Sequence, residues 1–444
     1  MGNWIRHAVW WQVYPLGATG AELEALPPDA GPLPRLKELH AWLPHLVGLG
    51  CNGLALCPVF ESGTHGYDTV DHLAVDRRLG TEQDLVDLID ACHALGVRVL
   101  LDGVFNHVGR GFPAFREVLE QGPTAPAAAW FHIDPAGHGP DGFAYRDFEG
   151  HSALVALDHG NPEVADHVAR VMTYWCDRGV DAWRLDAAYA VPPPFWREVL
   201  PRVRAARPDV WIVGEVLHGD YAGYVADSGI DSVTQYELWK AVWSSLNDRN
   251  LFELAHALGR HGEMVRRFLP QTFIGNHDVT RIASRLDDPR HLPLALALLC
   301  VLPGVPTVYY GDEFGLRGMK EDRAGGDDAV RPALPATQDP RDGGAAEVAD
   351  LHRLLIGVRR RHPWLVDATV EAPDVLGNEL LAVRLTAEGH ALAVVLNVGE
   401  HPGEVSLPLA GGSVLAGDAD AWPEAAGTRI RVPGHAYALV GDGG

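Results

Sequence analysis

Three carboxylates and one arginine stand out in this chain of 444 residues: Asp186, Glu215 and Asp278, with Arg184 two positions ahead of Asp186. Each carboxylate ends an apolar run, VDAWRLD (180–186), VWIVGE (210–215) and QTFIGNHD (271–278). In an extended segment residues two apart share a face, so Arg184 and Asp186 point one way while Trp183 and Leu185 pack on the other. A buried ion pair is a poor source of stability, because desolvating two charges costs about what their attraction returns. Taken alone, the pair fits a structural salt bridge as well as a site, and a lone Asp at a strand end commonly caps the next helix. Three carboxylates delivered at the same end of three such runs are harder to explain by capping. Two carboxyl groups facing each other across a cleft are what glycoside hydrolysis requires. One is ionised to attack or stabilise the anomeric carbon, and the other is protonated to supply a hydrogen to the leaving oxygen. Arg184 is expected to keep Asp186 ionised by charge pairing, and the flank of Val213, Gly214, Val216 and Leu217 to raise the pKa of Glu215. That contrast makes Asp186 the candidate nucleophile and Glu215 the candidate acid/base.

The elements that must position these groups follow a rhythm of apolar run, polar loop and amphipathic helix. Eight runs, at 9–16, 51–60, 97–105, 180–188, 210–217, 231–238, 271–278 and 307–313, alternate with helical periodicity. Eight strands alternating with helices predict an α/β fold closed as a TIM (β/α)8 barrel, whose chemistry sits at the C-terminal strand ends. An open doubly wound sheet would place a glycine-rich phosphate loop after its first strand, and YPLGATGAE is too weak a match. The barrel is expected over 1–107 and 161–366. The Gly-, Pro- and aromatic-rich stretch 108–160 after the third strand is expected to form a short inserted domain that shapes the site. From 367 to 444 the pattern becomes short alternating strands, which predicts a C-terminal antiparallel β-sandwich domain.

Composition narrows the function classes. The chain is 47% hydrophobic and carries 36 Lys and Arg against 59 Asp and Glu, a formal net charge of −23. Such a chain repels nucleic acid and anionic membrane surfaces, and no run approaches a membrane span. Five cysteines (Cys51, Cys57, Cys92, Cys176 and Cys300) lie singly in apolar segments without CxxC spacing, which predicts buried thiols rather than disulfides or a zinc centre. A cytoplasmic location is the default expectation, and the exposed C-terminal region and insertion are compatible with a homodimer.

With these residues placed, the sequence resembles the α-amylase family of retaining glycoside hydrolases, glycoside hydrolase family 13. DGVFNH (102–107), DAWRLD (181–186), GEV (214–216) and FIGNHD (273–278) resemble its motifs on strands three, four, five and seven. HGYDTVDHLAVDRRLGT (65–81), LVALDHGNPEV (154–164) and GVPTVYYGDE (304–313) extend the resemblance over nearly the whole chain. The resemblance implies that Asp186 forms the glycosyl-enzyme, that Glu215 is the acid/base, and that Asp278 binds hydroxyls of the distorted sugar. It implies further that His107 and His277 hydrogen-bond that sugar, that Arg184 orients Asp186, and that Tyr67 stacks under the ring beside His65. Asp327, Asp328 and Arg331 resemble the outer sugar-binding loop, or else a solvated loop. Trp130 and Phe131 in the insertion are candidate sugar-stacking platforms.

The departures from the family pattern matter as well. Tyr189 and Ala190 stand where many members carry the Lys-His pair that binds long α-1,4-glucan on the leaving-group side. Asn106, the usual first calcium ligand, is present, but Asp134, Asp141 and Asp147 form no dense ligand cluster in the sequence. No metal and no cofactor are therefore expected. On this reading no N-terminal β-domain precedes the barrel, and the chain is most similar to the cyclomaltodextrinase-like branch, which includes hydrolases of cyclic maltosyl-maltose. The expected substrate is a small or cyclic gluco-oligosaccharide with mainly α-1,4 links. A transglycosylase, a linear malto-oligosaccharide α-glucosidase or amylase, and a catalytically dead glycan-binding barrel remain open.

Overall fold

In the computed structural model, which describes residues 3–323, 325–335 and 344–442, eight short parallel strands form one sheet. The remaining positions, including the ends of the first and last expected segments, lie outside the described residues. The strands are β1 (Trp10–Val13), β2 (Gly53–Leu56), β3 (Arg98–Gly103), β4 (Ala182–Leu185), β5 (Trp211–Gly214), β6 (Ser232–Val233), β7 (Gln271–Phe273) and β8 (Val305–Tyr309). They pair in the order 6-5-4-3-2-1-8-7, and a parallel bridge between Thr234 and Gln271 joins the two edges. The fold is thus the expected TIM-like barrel, seven strands lying inside one of the apolar runs and β8 starting two residues before the run at 307–313.

Alternation along the strands sorts the side chains into two layers. Trp10, Ala55, Leu100, Ala182, Trp211 and Val213 form a cluster inside the barrel, with the Trp10 and Trp211 rings stacked 6.0 Å apart. Trp11, Leu54, Leu101, Trp183, Leu185 and Ile212 face outward into the larger core. Trp4 and Ile5, from the 3-10 turn Asn3–His7, plug the lower mouth of the barrel. Truncating a fully buried ring such as Trp10 would cost about 3–5 kcal/mol. Helix starts are secured locally. Thr81 and Asp84 form a reciprocal capping box before helix Glu82–Ala94, and Asn161 caps helix Pro162–Cys176, which opens on a proline.

Two further regions complete the chain. After β3, strand His107–Gly109 pairs antiparallel with His151–Ala156, which in turn pairs with Asp147–Phe148, so the inserted segment folds back over the upper mouth. Beyond helix Ala345–Arg361 the strands are all antiparallel and form two sheets, one around Leu380–Ala387, His390–Asn397 and Ala436–Gly441, the other Gly403–Leu407, Asp420–Glu424 and Gly427–Val432. Ala382, Val395, Val405, Leu407, Ile430 and Val440 join these sheets in a separate apolar cluster. Among the described residues no helix is long and apolar enough to cross a membrane.

Candidate active site

The inward register that packs Leu100 and Ala182 lower in the barrel delivers charged side chains at its upper mouth. Asp102 of β3 is the lateral partner of Arg184 of β4, and Arg184 Nη1 donates to Asp102 Oδ2 at 2.6 Å. The same nitrogen donates to Asp186 Oδ1 at 3.2 Å, while Nη2 lies 2.9 Å from Glu215 Oε1 and 3.9 Å from Asp278 Oδ2. One planar guanidinium therefore lies within 4 Å of four carboxylates, one on β3 and one past the end of each of β4, β5 and β7. It resolves the puzzle of the paired charges, because Arg184 organises the cluster rather than pairing with Asp186 alone.

Glu215 follows β5, and its environment differs from the sequence expectation. Val213 packs inside the barrel and Leu217 lines the same cavity, yet the carboxylate itself meets donors. Oε2 accepts the Ala187 amide at 3.0 Å and Oε1 accepts the Tyr236 hydroxyl at 3.1 Å, in addition to Arg184. Ala187 presents that amide from a left-handed conformation, φ +45°, which strains a residue with a Cβ. Tyr236 is in turn held by Asn276 Nδ2 at 2.9 Å.

Asp186 also departs from expectation. Burial pushes its pKa well up, and the Glu215, Asp102 and Asp278 carboxylates add to this against the opposing pull of Arg184. Arg184 does not by itself hold Asp186 ionised. Asp278 shows the reverse. Burial acts to raise its pKa, but His277 at 2.9 Å, then Arg331 and Arg184, hold it well below the usual carboxylate range. In His277, burial acts to lower the pKa, and the Asp278 carboxylate overrides it, pushing it up to about 10. Four carboxyls (Asp102, Asp186, Glu215 and Asp278) thus face three cations, Arg184, Arg331 and protonated His277. Crowding four carboxyls around Arg184 disfavours losing every proton at once, and an acid that donates once per cycle needs one.

The remaining expected site residues divide into those that join this cluster and those that do not. The cavity holding the carboxylates has a volume of about 350 Å³ and is lined by His65, Tyr67, His107, Asp186, Glu215, Asp278, Asp327 and Arg331 among others. Tyr67 donates to Asp102 at 3.1 Å and also contacts His277, whose ring is parallel to its own at 5.4 Å. His107 Nε2 lies 3.2 Å from the Tyr67 carbonyl and 4.0 Å from Asp186, and burial lowers its pKa to about 3, leaving it neutral. Arg331 Nη2 donates to Asp278 at 2.9 Å and pairs with Asp327 at 3.1 Å. Asp328 does not join them; it is exposed and lines a different cavity, beside Tyr14 and Gly17.

Trp130 and Phe131 are not in the cavity either. Phe131 is buried edge-on against Phe115, and Trp130 packs on Phe112 and His167 with its indole N–H bound to Glu163 at 2.8 Å. The insertion has an apolar core of its own to fill, and these rings fill it. Conversely, Tyr236, Phe148 and Lys320 line the cavity and were not singled out in the sequence. Tyr236 opens the helix that follows β6, three residues past the strand, so the strand-end rule that found the carboxylates extends to it.

The insertion's acidic side chains have local partners. Asp141 is bound to Arg110 at 2.8 and 2.9 Å, Asp134 accepts the Ala136 amide, and Asp147 accepts the Gly150 amide. The Asn106 side-chain nitrogen lies 3.0 Å from His107 Nδ1. Among the described residues no three His, Cys, Asp or Glu groups converge beside Asn106.

Known proteins are similar to this chain over most of its length. The α-amylase catalytic-domain model matches residues 35–344. A maltogenic α-amylase of Bacillus acidopullulyticus is 30% identical over 446 residues, spanning 92% of this chain and 72% of that protein. A cyclomaltodextrinase of a Bacillus species is 31% identical over 389 residues, 82% of this chain and 68% of that one. Among solved structures, the cyclic α-maltosyl-(1→6)-maltose hydrolase of Arthrobacter globiformis superposes with a TM-score of 0.83 at 27% identity, covering 99% of this chain and 100% of its own. A cluster of strand-end carboxylates around one arginine, in a barrel matched by that family model over most of its length, leads to one assignment: the chain belongs to the α-amylase family of glycoside hydrolases.

Proposed function

We propose that the protein is a retaining hydrolase of α-glucosidic, mainly α-1,4, bonds in small or cyclic gluco-oligosaccharides. The observation that carries this reading is the bridging of Asp186 and Glu215 by one guanidinium, at 3.2 and 2.9 Å. Two carboxyls held to one small planar group lie close together, as a nucleophile and an acid must when no water is to fit between nucleophile and sugar. In the first step Glu215 gives its proton to the glycosidic oxygen while an Asp186 oxygen bonds to the anomeric carbon and the bond to the leaving sugar breaks. In the second, Glu215 takes a proton from water, whose oxygen displaces Asp186 from the anomeric carbon.

Asp278, held ionised by His277 and Arg331, stands where it can bind sugar hydroxyls and favour the positive charge of the transition state. His277 and the neutral His107 supply further hydrogen bonds to the same sugar. Tyr67, beside them, offers its ring face. No step of this scheme calls on a metal.

The names of the relatives motivate the choice of substrates. A chromatographic product profile on linear maltotetraose, panose, a cyclodextrin and cyclic maltosyl-maltose tests it. Rapid opening of a ring with slow action on the linear sugars is the expected result. Products longer than the substrate would replace hydrolysis by transglycosylation, and preference for linear chains would overturn the small-ring reading.

A further inference from the structure

The cleft wall next to Glu215 is built differently from the rest of the site. The opposite wall, around Asp278, Arg331, Asp327 and Lys320, comes from the loops after β7 and β8. The wall at Glu215 is a link between two distant segments. Tyr189 sits in the 3-10 turn Ala188–Ala190 after β4, and its backbone N–H donates to the Glu215 carbonyl at 3.1 Å, so its place relative to Glu215 is fixed. Its hydroxyl reaches across to the inserted segment and donates to Glu149 Oε1 at 2.7 Å.

Glu149 is held for this contact. Its backbone is left-handed, φ +54°, as is that of Gly150 at +84°, and Asp147 Oδ1 closes the turn by accepting the Gly150 amide at 3.1 Å. Phe148, just before it, stacks on His107 with ring centroids 4.7 Å apart and 17° between planes. The turn is therefore anchored to the site itself. Phe148, Glu149 and Tyr189 line both the carboxylate cavity and a second one of about 330 Å³ that contains Arg146, Asp158 and His132. These three side chains are the partition between the two spaces.

We infer that the Glu149–Tyr189 link is a cross-bar that closes the leaving-group side of the cleft and selects short or sharply bent α-glucans over long linear chains. The inference rests on the reading of Glu215 as the acid/base, since the acid stands beside the leaving oxygen and Tyr189 is tied to that residue. An extended chain continuing past Glu215 runs into the bar, whereas a sugar that turns back into the carboxylate cavity does not. A charge-assisted hydrogen bond between elements 40 residues apart in sequence is a stiff closure, and cutting it joins the two cavities into one longer groove.

The test compares wild type with Glu149→Ala, Glu149→Gln and Tyr189→Phe on linear maltohexaose, a cyclodextrin and p-nitrophenyl α-maltoside, whose leaving group is too small to reach the bar. Glu149 is exposed, so its variants are expected to fold, and a melting curve checks this. Glu149→Ala should raise kcat/KM on maltohexaose relative to the aryl maltoside by about tenfold, through KM, and Tyr189→Phe should move it the same way. Glu149→Gln keeps an acceptor for the Tyr189 hydroxyl and should stay within about twofold of wild type. An unchanged ratio in Glu149→Ala, or an equal change in Glu149→Gln, overturns the cross-bar while leaving the hydrolase reading in place. A wild-type protein that cleaves none of the three overturns that reading, and the cross-bar with it.

Discussion

Asp181 and Asp186 lie five residues apart at opposite ends of β4, both buried, and the chain treats them in opposite ways. Asp181 is fully compensated. Its oxygens take His93 Nε2 at 2.8 Å, Arg98 Nη1 at 2.7 Å and the Val99 amide at 3.0 Å, with Arg207 at 3.7 Å. Burial acts to raise its pKa, but these partners outweigh it and the carboxyl ends below its ordinary range. Asp186 has one shared donor, Arg184, and three carboxylate neighbours, and its pKa ends well above the ordinary range. At the lower end of the strand the protein satisfies a buried charge; at the upper end it leaves one under-satisfied. The difference separates a charge that holds strands together from a charge kept reactive, and it comes from the company each keeps, since strand and burial are shared.

The strongest way to break this comparison is to remove each carboxylate in turn. Asp186→Asn should lower kcat by several orders of magnitude while the melting temperature stays level or rises, because the substitution relieves repulsion among the carboxyls. Steady-state kinetics and a thermal melt on the same sample decide it. Substantial residual turnover would refute Asp186 as the nucleophile.

Asp181→Asn should do the reverse, leaving kcat/KM near wild type and costing about 1–2 kcal/mol in stability, since it weakens several hydrogen bonds to the carboxyl while the arginines left behind are partly exposed to water. The pH dependence sharpens the contrast. An unfolded Asp titrates near pH ~3.9. The folded pKa of Asp181 is lower, so its contribution is complete above that value and is lost as pH falls through the folded value. The folded pKa of Asp186 is higher, so the folded state keeps a proton that the unfolded chain releases. Its carboxylate therefore subtracts stability progressively as pH rises from the unfolded value toward the raised one. Denaturant unfolding across this range should show the deficit of Asp181→Asn shrinking on acidification and the advantage of Asp186→Asn growing on alkalinisation. Parallel pH profiles for the two variants would remove the distinction.

The legible part of this site was its periodicity. Arg184 and Asp186 share a parity with Ala182 and so with the barrel interior, and strand ends alone located Asp102, Glu215 and Asp278. What the sequence could not supply was the company each side chain keeps. Glu215 reads as apolar from Val213 to Leu217, yet its carboxyl meets Arg184 and Ala187 from the neighbouring strand's end and Tyr236 from the next. Trp130 and Phe131 read as sugar-stacking platforms because the packing of the insertion around Phe112 and Phe115 has no periodic signature. Tyr189 could be recognised as an unusual residue at its position, but its partner Glu149 lies in the insertion, and only the fold brings the two together.

The finest comparison deletes one donor from each aspartate's counterpart rather than the carboxylate itself. Tyr236→Phe removes the hydroxyl that donates to Glu215 Oε1 at 3.1 Å and accepts from Asn276 at 2.9 Å. His93→Gln shortens the group that donates to Asp181 at 2.8 Å, on a side chain 32% exposed. Each change weakens one hydrogen bond to a buried carboxylate among several, worth about 1 kcal/mol in either setting. In the Asp181 network that loss should register as stability, a small drop in the denaturation midpoint with kcat unchanged. At Glu215 it should register as turnover, a fall in kcat of about five- to tenfold with KM held, because the hydroxyl is one of three donors that aim the carboxyl at the leaving oxygen. If Tyr236→Phe instead lowers stability and spares kcat, Glu215 belongs with Asp181 among the structural charges, and the division between the two ends of the barrel is wrong.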